Sequence, residues 1–172
     1  VSSSGGAGRH EAPAPPEDPD SAIAAEEVAA RILTAAAQSA AALERRLVQR
    51  GFSPEAAAAA TAAMIARGYV DDAVLASAIA ARRQRTGHGR IQVGAELRAR
   101  GVASEAISAT LADVDIEDER AAALQLGRHF AHRASYDVTV RQGRQRLGGA
   151  LQRRGFDSDT VGWVLRELER QS

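Results

Sequence analysis

An all-α fold of three tandem three-helix repeats is predicted for this chain, on three observations. Alanine makes up about a quarter of the 172 residues, and leucine, arginine and glutamate, which also favour helices, are abundant. Aromatic residues amount to only 3%, too few for the strands of a sandwich or barrel. A pattern of helix, glycine stop and helix start recurs three times along the chain.

The pattern can be quoted directly. Leu43, Leu47, Arg50, Gly51 and Phe52 precede Ser53-Pro54-Glu55. Val93, Leu97, Arg100, Gly101 and Val102 precede Ala103-Ser104-Glu105. Leu147, Leu151, Arg154, Gly155 and Phe156 precede Asp157-Ser158-Asp159. Apolar residues four apart make one helix face. An arginine in the last turn suits the negative helix end. The glycine after it can take the left-handed conformation that stops a helix. Ser53 and Asp157 suit the next N-cap, and Pro54 the first helical position.

The elements follow in order. Residues 1–20 are rich in Gly, Ser, Pro and acids, and are expected to form a disordered tail. The first repeat, 21–68, should hold helices near 22–37, 40–50 and 54–66. The second, 69–113, should hold helices near 72–86, 90–100 and 104–112. The third, 114–172, should hold helices near 116–133, 139–154 and 158–170. Asp20, Asp71 and Asp115 stand where the first helix of each repeat needs a cap, and Asp72 is read with Asp71 as capping rather than acid–base chemistry. Gly51, Gly101 and Gly155, with Gly68, Asp71 and Asp72, are the expected structural junctions. Units of this kind bury faces against their neighbours, so an elongated, curved array is expected.

Several chemistries are excluded by composition. All 22 basic residues are arginine, which removes a phosphate-loop lysine and a Schiff-base lysine. The absence of cysteine removes disulfides, zinc–thiolate sites and thiol catalysis. His129 and His132 stand three apart on a predicted helix, but no third ligand lies near in the pattern, so no metal is expected. Gly87-His88-Gly89 is not preceded by a strand and has the wrong spacing for a phosphate loop. Trp163, Tyr69 and Tyr136 are too scattered for a base-stacking platform, and Trp163 is expected at the core of the third repeat or its rim. No secretory signal or membrane span is visible, and a cytoplasmic location is expected.

The formal net charge is zero, yet the charges segregate. Residues 1–40 carry 2 arginines against 6 acids, and residues 113–127 carry 1 against 5. Residues 41–112 carry 10 arginines against 6 acids, and residues 128–172 carry 9 against 5. Arg82, Arg83, Arg85 and Arg90 cluster about a Gly-rich turn, followed by Arg98 and Arg100. Arg141, Arg144 and Arg146, with Arg153 and Arg154, form a second cluster. Guanidinium forks suit phosphates and carboxylates. These eleven arginines are the candidate residues for contact with a partner or DNA.

The junctions, together with the run Arg67-Gly68-Tyr69-Val70-Asp71-Asp72, Leu75, Ala76, Arg82-Arg83, Gly87, Gly89-Arg90-Ile91 and Glu96-Leu97, resemble the RecX family of regulators of the RecA recombinase. The likeness spans roughly residues 30–170, and Arg153-Arg154-Gly155-Phe156 resembles the family's C-terminal unit. The resemblance implies a regulator that is not an enzyme and needs no cofactor. It implies binding along the RecA nucleoprotein filament, with inhibition of filament extension, ATP hydrolysis and strand exchange. Roles in recombination, DNA repair and the SOS response follow from it. So does weak single-stranded DNA binding without sequence preference; a monomer is expected. Two other readings stay open on the residues alone. One is a helix-turn-helix transcription factor, against which three junctions without an arginine-loaded recognition helix count; the other is a generic helical scaffold.

Overall fold

The computed structural model describes residues 15–134 and 136–171. Among them the chain forms α1 (Ala22–Ala35), α2 (Ala40–Gln49), α3 (Pro54–Ala66), α4 (Asp72–Arg85), α5 (Arg90–Ala99), α6 (Ser104–Ala112), α7 (Ile116–Ala134), α8 (Arg141–Arg153) and α9 (Ser158–Arg170), with no strand. This is an all-α fold of three tandem three-helix repeats. Residues up to 36 with 43–69 form one compact unit, and residues 37–42 with those from 70 onward form a second.

The recurring junction is one backbone device used three times. Gly51, Gly101 and Gly155 have φ of 97°, 72° and 86°. At the second, the Gly101 N–H donates to Arg98 O at 2.9 Å and the Val102 N–H to Leu97 O at 3.1 Å. That pair of bonds is a Schellman closure, which satisfies carbonyls the helix end leaves over. Phe156 N–H to Leu151 O and Phe52 N–H to Leu47 O, both 3.3 Å, repeat it. Phe52, Val102 and Phe156 are thereby tucked under the turn and buried.

N-caps agree with the residue types in four cases. Ser53, Asp71, Asp115 and Asp157 accept N–H bonds from the first turns of α3, α4, α7 and α9. Asp20 does not cap α1; Ser21 does, its Oγ accepting from the Ala24 N–H at 3.2 Å. Its shorter side chain stands at the position from which that amide can be reached.

In the first unit α1 packs on α3. Ala25, Ala29, Ala56, Ala57 and Ala60 are buried with Ile32, Leu43, Leu47, Phe52 and Met64. Of the expected tail, residues 1–14 lie outside the described residues. The Pro19 carbonyl accepts the Ser53 N–H at 2.9 Å. A Cβ on Gly51 would stand 3.0 Å from Pro16 Cδ, so this stretch lies against the first junction.

The second unit has two cores. Ala76, Ile79, Ala80, Val93, Leu97, Val102 and Ile107 fill the space among α4, α5 and α6. Ala123, Val138, Leu147, Leu151, Phe156, Val161, Val164 and Leu168 fill the space among α7, α8 and α9. Trp163 sits at the rim of the latter. Burying one such Leu or Phe is worth roughly 1.5–3 kcal/mol.

Main chain joins the two bundles. The Gly89 N–H donates to Arg154 O at 2.9 Å, and the Ile91 N–H to Gly155 O at 3.1 Å. The start of α5 thus lies on the junction that ends α8. Gly89 is needed there because a Cβ would overlap the Gly155 carbonyl. Gly155 is needed because its own Cβ would fall 2.5 Å from Gln92 N.

Candidate functional site

The arginines predicted as one class divide into three by geometry. Arg82, Arg83 and Arg100 converge on one carboxylate. Arg82 Nη2 and Arg100 Nε donate to Glu96 Oε1 at 2.9 and 3.0 Å, and Arg83 Nε donates to Glu96 Oε2. Burial opposes the charge on Glu96, but the Arg83 and Arg100 hydrogen bonds outweigh it and hold the carboxyl below its ordinary range.

Arg90 is the second class. Its backbone N–H donates to Glu119 Oε1 at 2.8 Å and its Nε to Glu119 Oε2 at 2.6 Å. Asp157 Oδ2 stands 3.8 Å away. Glu119 is only 6% exposed, so this pair is an internal fastening between α5 and α7. Glu119 also serves the α5 N-terminus, where Gly89 offers no side-chain cap. The Asp157 carboxyl is lowered, chiefly by the Thr160 N–H and also by Arg90.

A matching fastening lies elsewhere in the second unit. Asp72 does not cap its own helix. Its Oδ1 accepts the Ala40 N–H at 2.9 Å and its Oδ2 the Ala103 N–H at 2.8 Å. Ser39 Oγ donates to Arg100 O at 2.7 Å and accepts from the Ala42 N–H at 3.2 Å. Ser39 is 1% exposed and is absent from the candidates. A sequence signal for it exists: Ser39, Gly89 and Gly143 each stand four residues before the first apolar position of the pattern, Leu43, Val93 and Leu147.

The third class points outward. Arg85, Arg98, Arg141, Arg146 and Arg153 are exposed and make no ion pair among the described residues. Arg144 pairs with Glu169. Arg154 lies over the Phe130 ring, 5.9 Å from its centroid, and its Nη1 donates to Thr86 O at 3.4 Å. His88 is held below its ordinary pKa by burial first, then by Arg154 and Arg83.

Two of the concavities in this unit are lined by candidate arginines. One, of about 460 Å³, has Arg85, His88 and Arg90 facing Asp113, Asp115, Asp118 and Glu119. The other, of about 420 Å³, is lined by Phe130, Arg133, Tyr136, Ala150, Arg153 and Arg154. Sequence reasoning missed Phe130 and Arg133, because the end of α7 meets the end of α8 only through packing. Among the described residues no group of three or more His, Cys, Asp or Glu could hold a metal ion, and no helix is long and apolar enough to cross a membrane.

Comparison with known proteins places this architecture. A family model described as the second three-helix domain of RecX matches residues 71–111. The regulatory protein RecX of Xanthomonas oryzae pv. oryzae is 33% identical over 119 residues, which are 69% of this chain and 72% of that one. Regulatory protein RecX of Stenotrophomonas maltophilia is 35% identical over 69% of this chain and 71% of its own. The crystal structure of RecX from Lactobacillus salivarius superposes with a TM-score of 0.79 at 16% identity, over 86% of this chain and 96% of that one. A second crystal structure, of regulatory protein RecX, gives 0.73 at 17% identity, over 83% and 70%. The two solved structures share the fold, and the curated relatives share a third of their residues over most of their length: the chain belongs to the RecX family of regulatory proteins.

Proposed function

We propose that this chain binds the RecA nucleoprotein filament and inhibits its extension, ATP hydrolysis and strand exchange, so modulating recombination and DNA repair within the SOS response. It acts as a cytoplasmic monomer, without catalysis and without a cofactor. Family membership supports the reading. The observation that carries it is the set of outward guanidinium groups with no internal partner among the described residues: Arg85, Arg98, Arg141, Arg146 and Arg153. Such groups are available to the phosphates and carboxylates of a large charged partner. Arg82 and Arg83 tie α4 to α5 through Glu96, Arg90 ties α5 to α7 through Glu119, and Arg100 pairs with Glu96 at the end of the same helix.

The test is retention on RecA filaments formed on single-stranded DNA, compared with naked DNA at equal salt. Retention on the filament should be stronger, fall with added salt, and accompany a drop in ATP hydrolysis. Equal retention on both, or tight binding to one duplex operator, would overturn the reading in favour of a DNA-binding protein.

A further inference from the structure

We propose that the concavity between the ends of α7 and α8 holds one nucleotide of single-stranded DNA, with its base against Phe130 and Tyr136 and its phosphate on Arg133 and Arg153. The proposal deepens the weak single-strand contact within the function proposed above.

Four observations carry it. The concavity, about 420 Å³, falls in the range of small-ligand sites, and no carboxylate lines it. Its neighbour of similar size is lined by four acids, which would repel a phosphate. Phe130 and Tyr136 are half-buried and pack on the core of the third repeat, so their rings are set before anything binds. The Tyr136 N–H donates to Ala131 O at 3.0 Å, which fixes that residue at the end of α7. Ring faces accept any base, and arginines beside them attract the backbone, as in sequence-tolerant single-strand recognition.

The fourth observation is a substitution between repeats. Ala150 precedes Leu151 as Glu96 precedes Leu97. In the second repeat that glutamate accepts hydrogen bonds from Arg82, Arg83 and Arg100 and holds them in ion pairs. In the third repeat alanine leaves Arg154, the counterpart of Arg100, and Arg153 beside it without an ion pair among the described residues, and leaves the space open. An acidic peptide would satisfy the arginines but make no use of the two rings, of which Phe130 carries Arg154 over one face.

The experiment uses the full chain and fluorescein-labelled oligo-dT, without recombinase. Binding is read by anisotropy, and ultraviolet cross-links are mapped by mass spectrometry. Cross-links should fall on Phe130 or Tyr136. Ala150→Glu should weaken binding about tenfold or more, and Phe130→Leu should lower the cross-linking yield. Arg133→Gln and Arg153→Gln should each reduce the salt slope by about 0.7. Circular dichroism checks folding; should Ala150→Glu unfold, the exposed arginine variants decide. Cross-links confined elsewhere would overturn the proposal. So would unchanged affinity in folded Ala150→Glu, or equal displacement by a poly-glutamate peptide of the same charge. Filament retention of the same variants is read separately, so failure here is distinct from failure of filament binding.

Discussion

The second and third repeats end their middle helices on the same leucine, arginine and glycine positions and use the surrounding charges in opposite ways. Around Glu96 three guanidinium groups point at one carboxylate whose side chain is 13% exposed. Around Ala150 the arginines face a concavity, and Arg154 lies over an aromatic ring. Alanine in place of glutamate at this one repeat position goes with an open cationic corner where the other repeat has an ion-paired one. Local charge density therefore says little about function until the partner of each charge is known.

The largest effect should come from the internal class of arginine. Glu119→Ala leaves Arg90 charged, its side chain only 28% exposed, with its main acceptor gone. Urea denaturation should show a loss of about 2–3 kcal/mol, somewhat under the range for a fully buried pair. An unchanged midpoint would mean the fastening between α5 and α7 contributes nothing.

The two junction glycines give the next contrast. Gly155→Ala must both hold a positive φ and displace Gln92, whereas Gly68→Ala faces the backbone term with nothing within 4 Å of the new Cβ. Losses of about 2 and about 1 kcal/mol respectively are expected in thermal melts. Equal losses would show that the close approach of α5 to the α8 junction carries no cost of its own.

A smaller change is expected from Glu96→Gln, about 0.5–1 kcal/mol, because Arg82 and Arg100 are about half exposed and screened by water. Its signature is in the pH profile. The Glu96 and Asp157 carboxyls are lowered in the folded chain. Their stabilisation is complete above their ordinary values, about 4, and is lost as pH falls through the folded ones. His88 is also lowered, so its contribution begins to fade as pH drops below about 6.5. Stability should therefore decline in two stages on acidification, and Glu96→Gln should flatten the lower one. A single unaltered acid transition would contradict the Glu96 geometry.

The smallest stability effect belongs to the outward class. Arg141→Gln and Arg146→Gln should each stay within about 0.5 kcal/mol of the parent. They should nevertheless weaken retention on the filament and flatten its salt dependence. Full retention by the double variant would remove these two residues from the contact surface.

The helices were legible because their signals are local. Leu97, Arg100, Gly101 and Val102 lie within one closing turn, and the bonds that read them out span five residues at most. Fastenings were not legible, since Arg90 meets Glu119 across 29 positions and Ser39 meets Arg100 across 61. Only packing brings such pairs together, and composition sees neither. Phe130 and Tyr136 stand only six positions apart, but the wall they share is completed by Ala150, Arg153 and Arg154, which packing alone brings there. Asp72 looked like a second cap beside Asp71, but its carboxylate reaches two amides from other segments.

Joining bundles through Gly89 and Gly155 by peptide groups has an evolutionary corollary. Amide and carbonyl are the same in every amino acid, so outward letters can drift while the joint persists. A likeness of 0.79 at 16% identity is compatible with such drift. Length is another matter: one residue inserted between Gly87 and Arg90 would rotate the donors away from their acceptors, so the lineage should keep both this spacing and Gly89 while His88 varies.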